Sequence, residues 1–323
     1  MHPVLFEVPS PWGPLPIFSY GVMLGFSLVI AWYLVMYLGT RKEGIPREQM
    51  ANAFIVTAIV AIVGARLLYV ITNPHEFTDD PLRFFALREG GLVAYGGFLG
   101  GLLGSFWYWR SKEVSLLAWA DVVAPTLGTG LLFTRIGCYL YGCDFGAPLE
   151  EGASGWLSDL GTFPGPGGVG HEHGSPAFVH HVQTYDLAPT ASASLPVHPT
   201  QLYESLAGLA LFGVTMLVWR YRTFRGQVVL VLTALYGLWR FFIEYVRDDP
   251  ERGFYFGFST SQLISLALVP VALLAYMMLR KKQAGAALVP YGAPSQDPDP
   301  SKPASLEAAE AKKPKTKKRK KKA

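Results

Sequence analysis

Charged residues are scarce in this chain. Asp, Glu, Lys and Arg make up 16% of its 323 residues, whereas they make up about a quarter of an average soluble protein. Half of the residues are apolar, and they occur in runs of roughly twenty, the length that spans the hydrocarbon core of a bilayer. The composition therefore predicts an all-α polytopic membrane protein.

Cysteine is also scarce, which excludes two kinds of scaffold. Cys138 and Cys143 are the only two cysteines, too few for a disulfide framework, and no pair of Cys-x-x-Cys motifs indicates a zinc site. We interpret the two thiols as packing residues, with a disulfide between them as the alternative. No basic segment precedes the first apolar run, so a cleaved signal peptide is not expected.

The apolar runs predict seven transmembrane helices within one domain, residues 17–282. The predicted spans cover about residues 17–38, 50–72, 91–109, 116–139, 199–219, 227–246 and 261–279. The third span is rich in glycine, which predicts either tight packing against another helix or a broken helix that lines a cavity. An interfacial segment, residues 1–16, precedes the domain. A Lys-rich tail, residues 283–323, follows it and is predicted to be disordered because like charges repel.

Lysine and arginine are absent from residues 147–197, which are rich in Gly, Pro, Ser and His. This composition predicts an extramembrane arm with little regular structure. His171, His173, His180 and His181 lie in the arm, but their spacing is only a weak indication of metal binding. We predict no metal site and no other cofactor.

The basic residues predict the orientation of the chain. Short basic segments follow spans one, three, five and seven, and cytoplasmic loops carry an excess of Lys and Arg. The N-terminus is therefore predicted to lie outside and the C-terminus in the cytoplasm. There the tail would face the anionic inner leaflet, with a solvated extension as the alternative. No specific nucleic acid is expected, because no aromatic residues interleave with the lysines.

Ionisable residues at membrane depth give the strongest functional signal. An arginine at the centre of a span costs about 3 kcal/mol even on the lenient insertion scale, so such residues mark functional sites. One interpretation is a set of ion pairs that fixes the helix bundle. The other is an outward-facing cavity with arginine in excess, which suits a phosphate group. The residues concerned are Arg66, Asp121, Arg135, Glu204, Arg240 and Glu244, with His198 and Arg247 close to the predicted outer ends of their segments.

These residues also bear on two other classes of membrane protein. A transporter or binder of an anionic lipid or small anion would use the same arginines, but no internal repeat of the kind common in transporters is evident. A rhodopsin-like light sensor would need a lysine within the seventh span, where none occurs.

Six short motifs resemble, in order, the signature of the prolipoprotein diacylglyceryl transferase family. Together they extend over about residues 17–282 and exclude the tail. They are Gly64-Ala65-Arg66-Leu67-x-Tyr69, Ala94-Tyr95-Gly96-Gly97, Ala120-Asp121-x-x-Ala124-Pro125, Arg135-x-Gly137-Cys138-Tyr139-x-x-Gly142-x-x-x-Gly146, His198-Pro199-x-Gln201-Leu202-Tyr203-Glu204 and Tyr236-Gly237-x-x-Arg240-Phe241-x-x-Glu244-x-x-Arg247.

The resemblance implies an enzyme of the bacterial inner membrane with seven transmembrane helices and a periplasmic head. It implies transfer of the diacylglyceryl group of phosphatidylglycerol to the thiol of the lipobox cysteine in a preprolipoprotein. The products would be a thioether and glycerol 1-phosphate, in the first step of lipoprotein maturation. No cofactor is implied.

The resemblance also implies roles for individual residues. Arg135 and Arg240 would hold the lipid phosphate, and Tyr95, Glu204 and His198 are alternative bases for the thiol. Further substrate-binding positions are Tyr20, Arg66, Gly146, Tyr236, Glu244 and Arg247.

The chain departs from the family pattern at several positions. The family often has a histidine where this chain has Tyr95. Many members have Asn where this chain has Cys138, and some have Glu where it has Cys143, so Asp144 would supply the missing carboxylate. A non-catalytic member of the family is therefore a third interpretation.

Overall fold

Helices dominate the structure. A computed structural model describes residues 2–9, 11, 13–78, 80–86, 91–112, 114–150, 155–167, 172–248, 253–286 and 288–291. The helices of these residues are α1 (Ser19–Met36), α2 (Arg47–Thr72), α3 (Ala94–Trp109), α4 (Leu116–Tyr141), α5 (Gly155–Gly161), α6 (Pro176–Thr184), α7 (Thr200–Tyr221), α8 (Gln227–Ile243) and α9 (Thr260–Lys282). The prediction of an all-α polytopic membrane protein is confirmed.

Six of the described helices are long and apolar enough to cross a membrane: α1 with the helical turn that continues it to Lys42, α2, α4, α7, α8 with its continuation to Val246, and α9. The third predicted span forms α3, which has 16 residues. At 1.5 Å per residue it is about 24 Å long, less than the roughly 30 Å of a hydrocarbon core. That the third span crosses the membrane, which would bring the number of spans to seven, therefore stays a prediction.

Helix α4 is the centre of the bundle, because it packs against α1, α7 and α8. Glycines allow it to approach α7 closely. A Cβ added to Gly128 would lie 2.7 Å from the nitrogen of Phe212, and one added to Gly208 would lie 2.6 Å from the nitrogen of Leu132. The Ser205 hydroxyl donates to the Leu132 carbonyl at 3.0 Å. This crossing fixes the C-terminal half of α4 against the first turns of α7.

Glycines also pack α3 against α2. A Cβ on Gly64 would lie 2.5 Å from the Gly96 oxygen, and a Cβ on Gly100 would lie 2.4 Å from the Val60 oxygen. Such contacts between backbones are typical of small residues in membrane helices. Of the two alternatives for the glycine-rich span, the structure shows tight packing of an unbroken helix.

Asp121 serves the fold rather than the site. Its carboxylate is fully buried and accepts hydrogen bonds from the backbone nitrogens of Gly226, Val228 and Val229 at 2.8, 2.9 and 3.0 Å. These nitrogens belong to the start of α8, where a helix has no backbone acceptors of its own. Asp121 of α4 therefore caps α8 in place of a local side chain.

Most of the described part of residues 147–197 is irregular, as predicted, but the segment has a packed fold. It contains α5 and α6, and Phe163, Ala177 and Val197 pack with Phe145 in a small apolar core. Hydrogen bonds cross this head, among them the one from the Val197 nitrogen to the Gly161 carbonyl at 3.1 Å. Proline and glycine content suggested a loop, but burial of a few aromatic residues suffices to fold it.

Two hairpins and an ordered C-terminal segment complete the described chain. Strands β1 (Val4–Val8) and β2 (Leu15–Phe18) pair within the predicted interfacial segment, and β3 (Phe254–Tyr255) pairs with β4 (Phe258–Ser259) before α9. The predicted tail begins at residue 283, yet Tyr291 is packed: its nitrogen donates to the Glu43 carbonyl at 2.6 Å. The order thus extends past the predicted boundary, and residues 292–323 lie outside the described part of the chain.

Candidate active site

Two arginines and two carboxylates form a closed ring at one end of the bundle. Arg135 Nε lies 2.7 Å from Glu204 Oε2, and Arg135 Nη1 lies 2.5 Å from Asp144 Oδ2. Arg247 lies opposite, with Nη1 3.2 Å from the same Glu204 oxygen and Nη2 2.8 Å from Asp144 Oδ1. Each carboxylate therefore bridges both guanidinium groups, which offsets the cost of their removal from water.

Asp144 reaches the ring because the chain turns sharply after α4. The helix ends at Gly142, whose φ of 91° is left-handed, and Asp144 has a φ of 57°, a conformation that Asp adopts more readily than most residues. Burial would raise the pKa of the Asp144 carboxyl, but the charges of Arg135 and Arg247 outweigh it and hold that pKa well below its usual range. The carboxylate is therefore ionised.

The first turn of α7 is tied to the same turn of the chain. The Thr200 hydroxyl donates to the Asp144 carbonyl at 2.8 Å, and Gln201 Nε2 donates to the Cys143 carbonyl at 2.7 Å. Both residues are fully buried. One helical turn after Thr200, Glu204 projects from the same face of α7. The His-Pro-Thr-Gln-Leu-Tyr-Glu motif, residues 198–204, therefore positions Glu204 next to Arg135.

Gly146 lets the segment of Arg247 approach. Its nitrogen donates to the His198 carbonyl at 3.0 Å, and it forms an isolated β-bridge with Arg247. A Cβ at Gly146 would lie 2.5 Å from the Val246 oxygen and 2.7 Å from the His198 oxygen. No side chain fits between these segments, so glycine is required for the ring to close.

Arg240 forms a second centre. Its Nη1 pairs with Glu244 one turn away, and its Nη2 donates to the Ser261 hydroxyl at 3.0 Å. The same hydroxyl lies 3.2 Å from the Tyr95 hydroxyl. Tyr236 is within electrostatic range of both centres, since it interacts with Arg135 and Glu204 of the ring and with Arg240.

The structure corrects the expectation that arginine is in excess at the outer cluster. Each of its three arginines has a carboxylate partner. The groups are Arg135, Arg240 and Arg247 with Asp144, Glu204 and Glu244. The count was wrong because Asp144, which follows the end of α4, was not included among the groups at membrane depth. A phosphate bound by these arginines would therefore have to share them with a carboxylate or replace one.

The structure brings most of the predicted site residues together. Tyr20, at the start of α1, packs on Gly137 of α4 and is close enough to interact with Arg135 and Asp144. The backbone carbonyl of His198 accepts a hydrogen bond from the Gly146 nitrogen. The His198 ring, however, lies beside Tyr203, with Nδ1 3.4 Å from the Tyr203 hydroxyl.

Arg66 is placed differently. Its guanidinium donates to the carbonyls of Phe84, Gly91 and Arg83 at 2.9, 2.9 and 2.5 Å. It therefore braces the connection between α2 and α3. Its predicted contact with substrate stays a prediction.

The two cysteines are free thiols beside the ring. Cys138 Sγ lies 3.3 Å from Asp144 Oδ2, and the ligand atoms of Cys138, Cys143 and Asp144 lie within 4.8 Å of one another. They are the one group of three potential metal ligands among the described residues. A cation fits poorly there, because Arg135 and Arg247 engage both oxygens of Asp144.

The described histidines of the head do not form a group of three potential metal ligands. His171 lies outside the described residues and His173 is exposed. His181 Nδ1 accepts a hydrogen bond from the Leu195 nitrogen at 3.1 Å, while His180 Nε2 lies 3.6 Å from Asp248. Their contacts are those of a folded head.

Sequence reasoning missed Ser261. The pattern Ser259-x-x-Gln262 predicts the start of a helix, and the structure shows the corresponding capping box. The pattern does not indicate that Ser261 contacts both Arg240 and Tyr95, because these three residues lie on three different helices.

Comparisons with known proteins agree with this architecture. The family described as "Prolipoprotein diacylglyceryl transferase" matches residues 3–278. A phosphatidylglycerol–prolipoprotein diacylglyceryl transferase of Clostridium perfringens is 32% identical over 269 residues, 83% of this chain and 93% of the relative. Proteins with the same activity in their names occur in Corynebacterium efficiens, 31% identical over 94% of this chain and 93% of the relative, and in Vibrio cholerae, 32% identical over 85% and 90%. None of these three names supports the transporter alternative. The chain belongs to the prolipoprotein diacylglyceryl transferase family.

Proposed function

We propose that this protein transfers the diacylglyceryl group of phosphatidylglycerol to the thiol of a lipobox cysteine in a preprolipoprotein. The observation that carries the proposal is a pair of arginines held in place near the same end of the bundle, Arg135 by Glu204 and Asp144 and Arg240 by Glu244 and Ser261. Guanidinium groups bind phosphate oxygens with two parallel hydrogen bonds.

The reaction makes one bond and breaks one. The thiol sulfur attacks the carbon of the diacylglyceryl group that is bonded to the phosphate oxygen. A C–S bond forms, and the bond between that carbon and the phosphate oxygen breaks. The electron pair of that bond stays on the phosphate oxygen, so glycerol 1-phosphate leaves with an additional negative charge. Arg135 and Arg240 would stabilise this charge as it develops.

The thiol proton must pass to a base, and the three candidates differ in access. Glu204 has no exposed surface, whereas 41% of Tyr95 is exposed. His198 is half-buried beside Tyr203. A large peptide substrate reaches an exposed group more readily than a buried one. We therefore favour Tyr95 as the group that receives the proton, which only its phenolate form can do, and Glu204 as the carboxylate that orients Arg135 and Arg247.

Phosphate binding would proceed by exchange, because each arginine already has a carboxylate partner. Asp144 is the carboxylate most suited to share its arginines, since its side chain is 32% exposed while that of Glu204 is fully buried. Glu244, 2% exposed, would hold Arg240 throughout. Tyr20 is proposed as a further contact of the lipid, and Arg66, which is 3% exposed and bonded to backbone carbonyls, is proposed to support lipid binding through the segment that it holds.

The function is tested with the purified full chain, phosphatidylglycerol and a lipobox peptide, by recording the mass of the peptide. We expect a gain of one diacylglyceryl group. Arg135→Ala and Arg240→Ala should each lower the rate by about a hundredfold or more, since each removes a charge that offsets the leaving group. Arg110→Ala, which changes an exposed arginine after α3, is the matched control and should retain activity.

A preparation that binds phosphatidylglycerol but never modifies the peptide would contradict the proposal. It would support the interpretation of a non-catalytic family member, which rests on Tyr95 and Cys138. Equal losses in Arg110→Ala and Arg135→Ala would show that the arginine effect is not specific to the site.

The setting in the cell is part of the proposal. We infer a bacterial inner membrane, with the N-terminus and the head in the periplasm and the C-terminus in the cytoplasm, because Arg41, Lys42, Arg110 and Arg280 all lie at the C-terminal ends of their helices. Labelling of single introduced cysteines with a membrane-impermeant reagent tests this orientation. A cysteine in place of exposed His173 should react from outside, and one in place of exposed Arg110 should not.

The Lys-rich tail, residues 283–323, is proposed to attract the anionic inner leaflet. Each Lys or Arg near such a surface contributes about 1 kcal/mol. A peptide with the sequence of residues 305–323 should bind vesicles containing phosphatidylglycerol and leave vesicles of phosphatidylcholine unbound. Equal binding to both would refute the electrostatic interaction.

A further inference from the structure

We propose that Ser261 is a positioning residue of this site, whose hydroxyl aligns the Arg240 guanidinium and the Tyr95 hydroxyl with each other. The inference rests on the proposed roles of Arg240 and Tyr95 in the transfer reaction. Ser261 belongs to none of the motifs that the sequence analysis quoted.

The direction of the hydrogen bonds follows from the chemistry of the three groups. Arginine only donates, whereas a serine hydroxyl has one O–H and two lone pairs. Ser261 Oγ therefore accepts from Arg240 Nη2 at 3.0 Å. Its remaining lone pair and its proton are available to Tyr95, whose hydroxyl lies 3.2 Å away. One serine thus connects a proposed phosphate ligand to the proposed base.

The backbone of Ser261 is fixed on both sides. Ser259 Oγ accepts from the Gln262 nitrogen at 3.2 Å, and Gln262 Oε1 accepts from the Ser259 nitrogen at 3.0 Å. Gln262 Nε2 also reaches the Phe241 carbonyl at 3.4 Å, next to Arg240 in α8. The start of α9 is therefore tied to the helix that carries Arg240, which holds the backbone of Ser261 close to Arg240.

Arg240 and Tyr95 depend on this hydroxyl for different reasons. Glu244 engages Nη1 of Arg240, so Ser261 supplies a second anchor that fixes the plane of the guanidinium. Tyr95 lies in the first turn of the short helix α3 and is 41% exposed. Its one described hydrogen bond is the bond to Ser261. Loss of the hydroxyl would leave the tyrosine ring free to rotate away from the thiol.

The test compares Ser261→Thr with Ser261→Val in the purified full chain. These two side chains have nearly the same shape and differ in the hydroxyl. We expect Ser261→Thr to keep kcat within about threefold and Ser261→Val to lower it about tenfold, with a smaller change in KM for phosphatidylglycerol because Glu244 still holds Arg240. Thr260→Ala, which removes an exposed neighbouring hydroxyl bonded to Gly253, should leave the rate unchanged.

A double-mutant cycle then separates positioning from a structural role. In a Tyr95→Phe background, Ser261→Val should add less than about a twofold loss, because residues that act as a unit are not additive. A further tenfold loss in that background, or equal rates for Ser261→Thr and Ser261→Val, would overturn the inference. If Tyr95→Phe and Arg240→Ala themselves leave the rate unchanged, the proposed roles of those residues fail, independently of Ser261.

Discussion

At the scale of single residues, Gly146 is the position at which three segments meet. We expect Gly146→Ala to lower transfer activity about tenfold or more, because its Cβ would lie 2.5 Å from the Val246 oxygen and push Arg247 away from Glu204. Overpacking of this kind costs about 1–3 kcal/mol in stability. Gly155→Ala is the control, since no atom lies within 4 Å of its added Cβ. Equal rates for the two variants in the peptide assay would contradict this account.

The stability of the fold should depend on pH through the buried side chain of His181. Burial, together with the neighbouring His180, lowers the pKa of His181 to about 4, although Asp248 opposes the shift. The unfolded chain has a histidine pKa near 6.5, so it binds more protons than the folded chain between those values. Stability should therefore be complete above about pH 6.5 and decline as the pH falls towards 4.

Thermal unfolding at several pH values between 7.5 and 4.5 measures this decline. We expect His181→Gln, which keeps an acceptor for the Leu195 nitrogen, to flatten the dependence of Tm on pH in this range. His173→Gln changes an exposed histidine and should leave it as it is. A decline that persists unchanged in His181→Gln would assign the pH dependence to other groups.

The sequence predicted which residues belong to the site better than it predicted their partners. Arg135, Glu204, Arg240 and Glu244 are recognisable because a charge near the end of an apolar run is costly. The pairing of Arg135 and Arg247 with Asp144 depends on the left-handed turn at Asp144, which is set by contacts with α7 that local sequence does not specify. Ser261 was invisible for the same reason, since its partners come from α3 and α8.

At the scale of elements, the contact between α2 and α3 offers a matched pair of glycines. A Cβ on Gly100 would lie 2.4 Å from the Val60 oxygen, whereas one on Gly101 would have ordinary contacts at 3.6 and 3.7 Å. We expect Gly100→Ala to lower the free energy of unfolding by about 1–3 kcal/mol and Gly101→Ala to leave it nearly unchanged. Thermal unfolding in detergent compares the two. Equal Tm values would show that the helices can separate at no cost.

Asp121 of α4, which caps the start of α8, should contribute strongly to the stability of the bundle. Asp121→Ala leaves three buried backbone nitrogens without their acceptor, and each such loss costs about 1–3 kcal/mol. We expect a loss of at least about 3 kcal/mol in the free energy of unfolding. Asp121→Asn retains one acceptor oxygen and should lose less. Equal losses would argue that the charge, through nearby Arg222, matters more than the cap.

Element boundaries were largely predictable, because the apolar runs end where the helices end. The head was not. Its fold depends on Phe145, Phe163, Ala177 and Val197, which are far apart in the sequence and show neither the helical nor the strand period. The β1–β2 hairpin escaped prediction for a related reason: prolines at its turn and edge suggested an irregular segment.

At the scale of the whole molecule, the segment after α9 ties together ends of four helices. Besides the bond from its nitrogen to Glu43, the Tyr291 hydroxyl accepts from the Ser115 nitrogen at 2.9 Å, and Arg225 lies over its ring at 4.2 Å. A chain truncated after Tyr291 should keep the Tm of the full chain, and one truncated after Gln283 should lose several degrees.

Both truncations remove the Lys-rich end, so their difference measures the packed segment alone. Tyr291→Ala in the full chain should reproduce most of the loss. Identical Tm values for the two truncations would show that these contacts contribute nothing to stability, and a loss already present after truncation at Tyr291 would assign a structural role to the lysines.

The close contact of α2 and α3 also bears on how the protein is made. Helix α3 is short and rich in glycine, so on its own it would partition weakly from the translocon into lipid. Its backbone lies directly on that of α2, and Arg66 of α2 holds the chain that connects them. We therefore expect the two helices to insert into the bilayer together, as one hairpin. During biosynthesis Tyr95 would then reach its final depth at the same time as α2 and not independently of it.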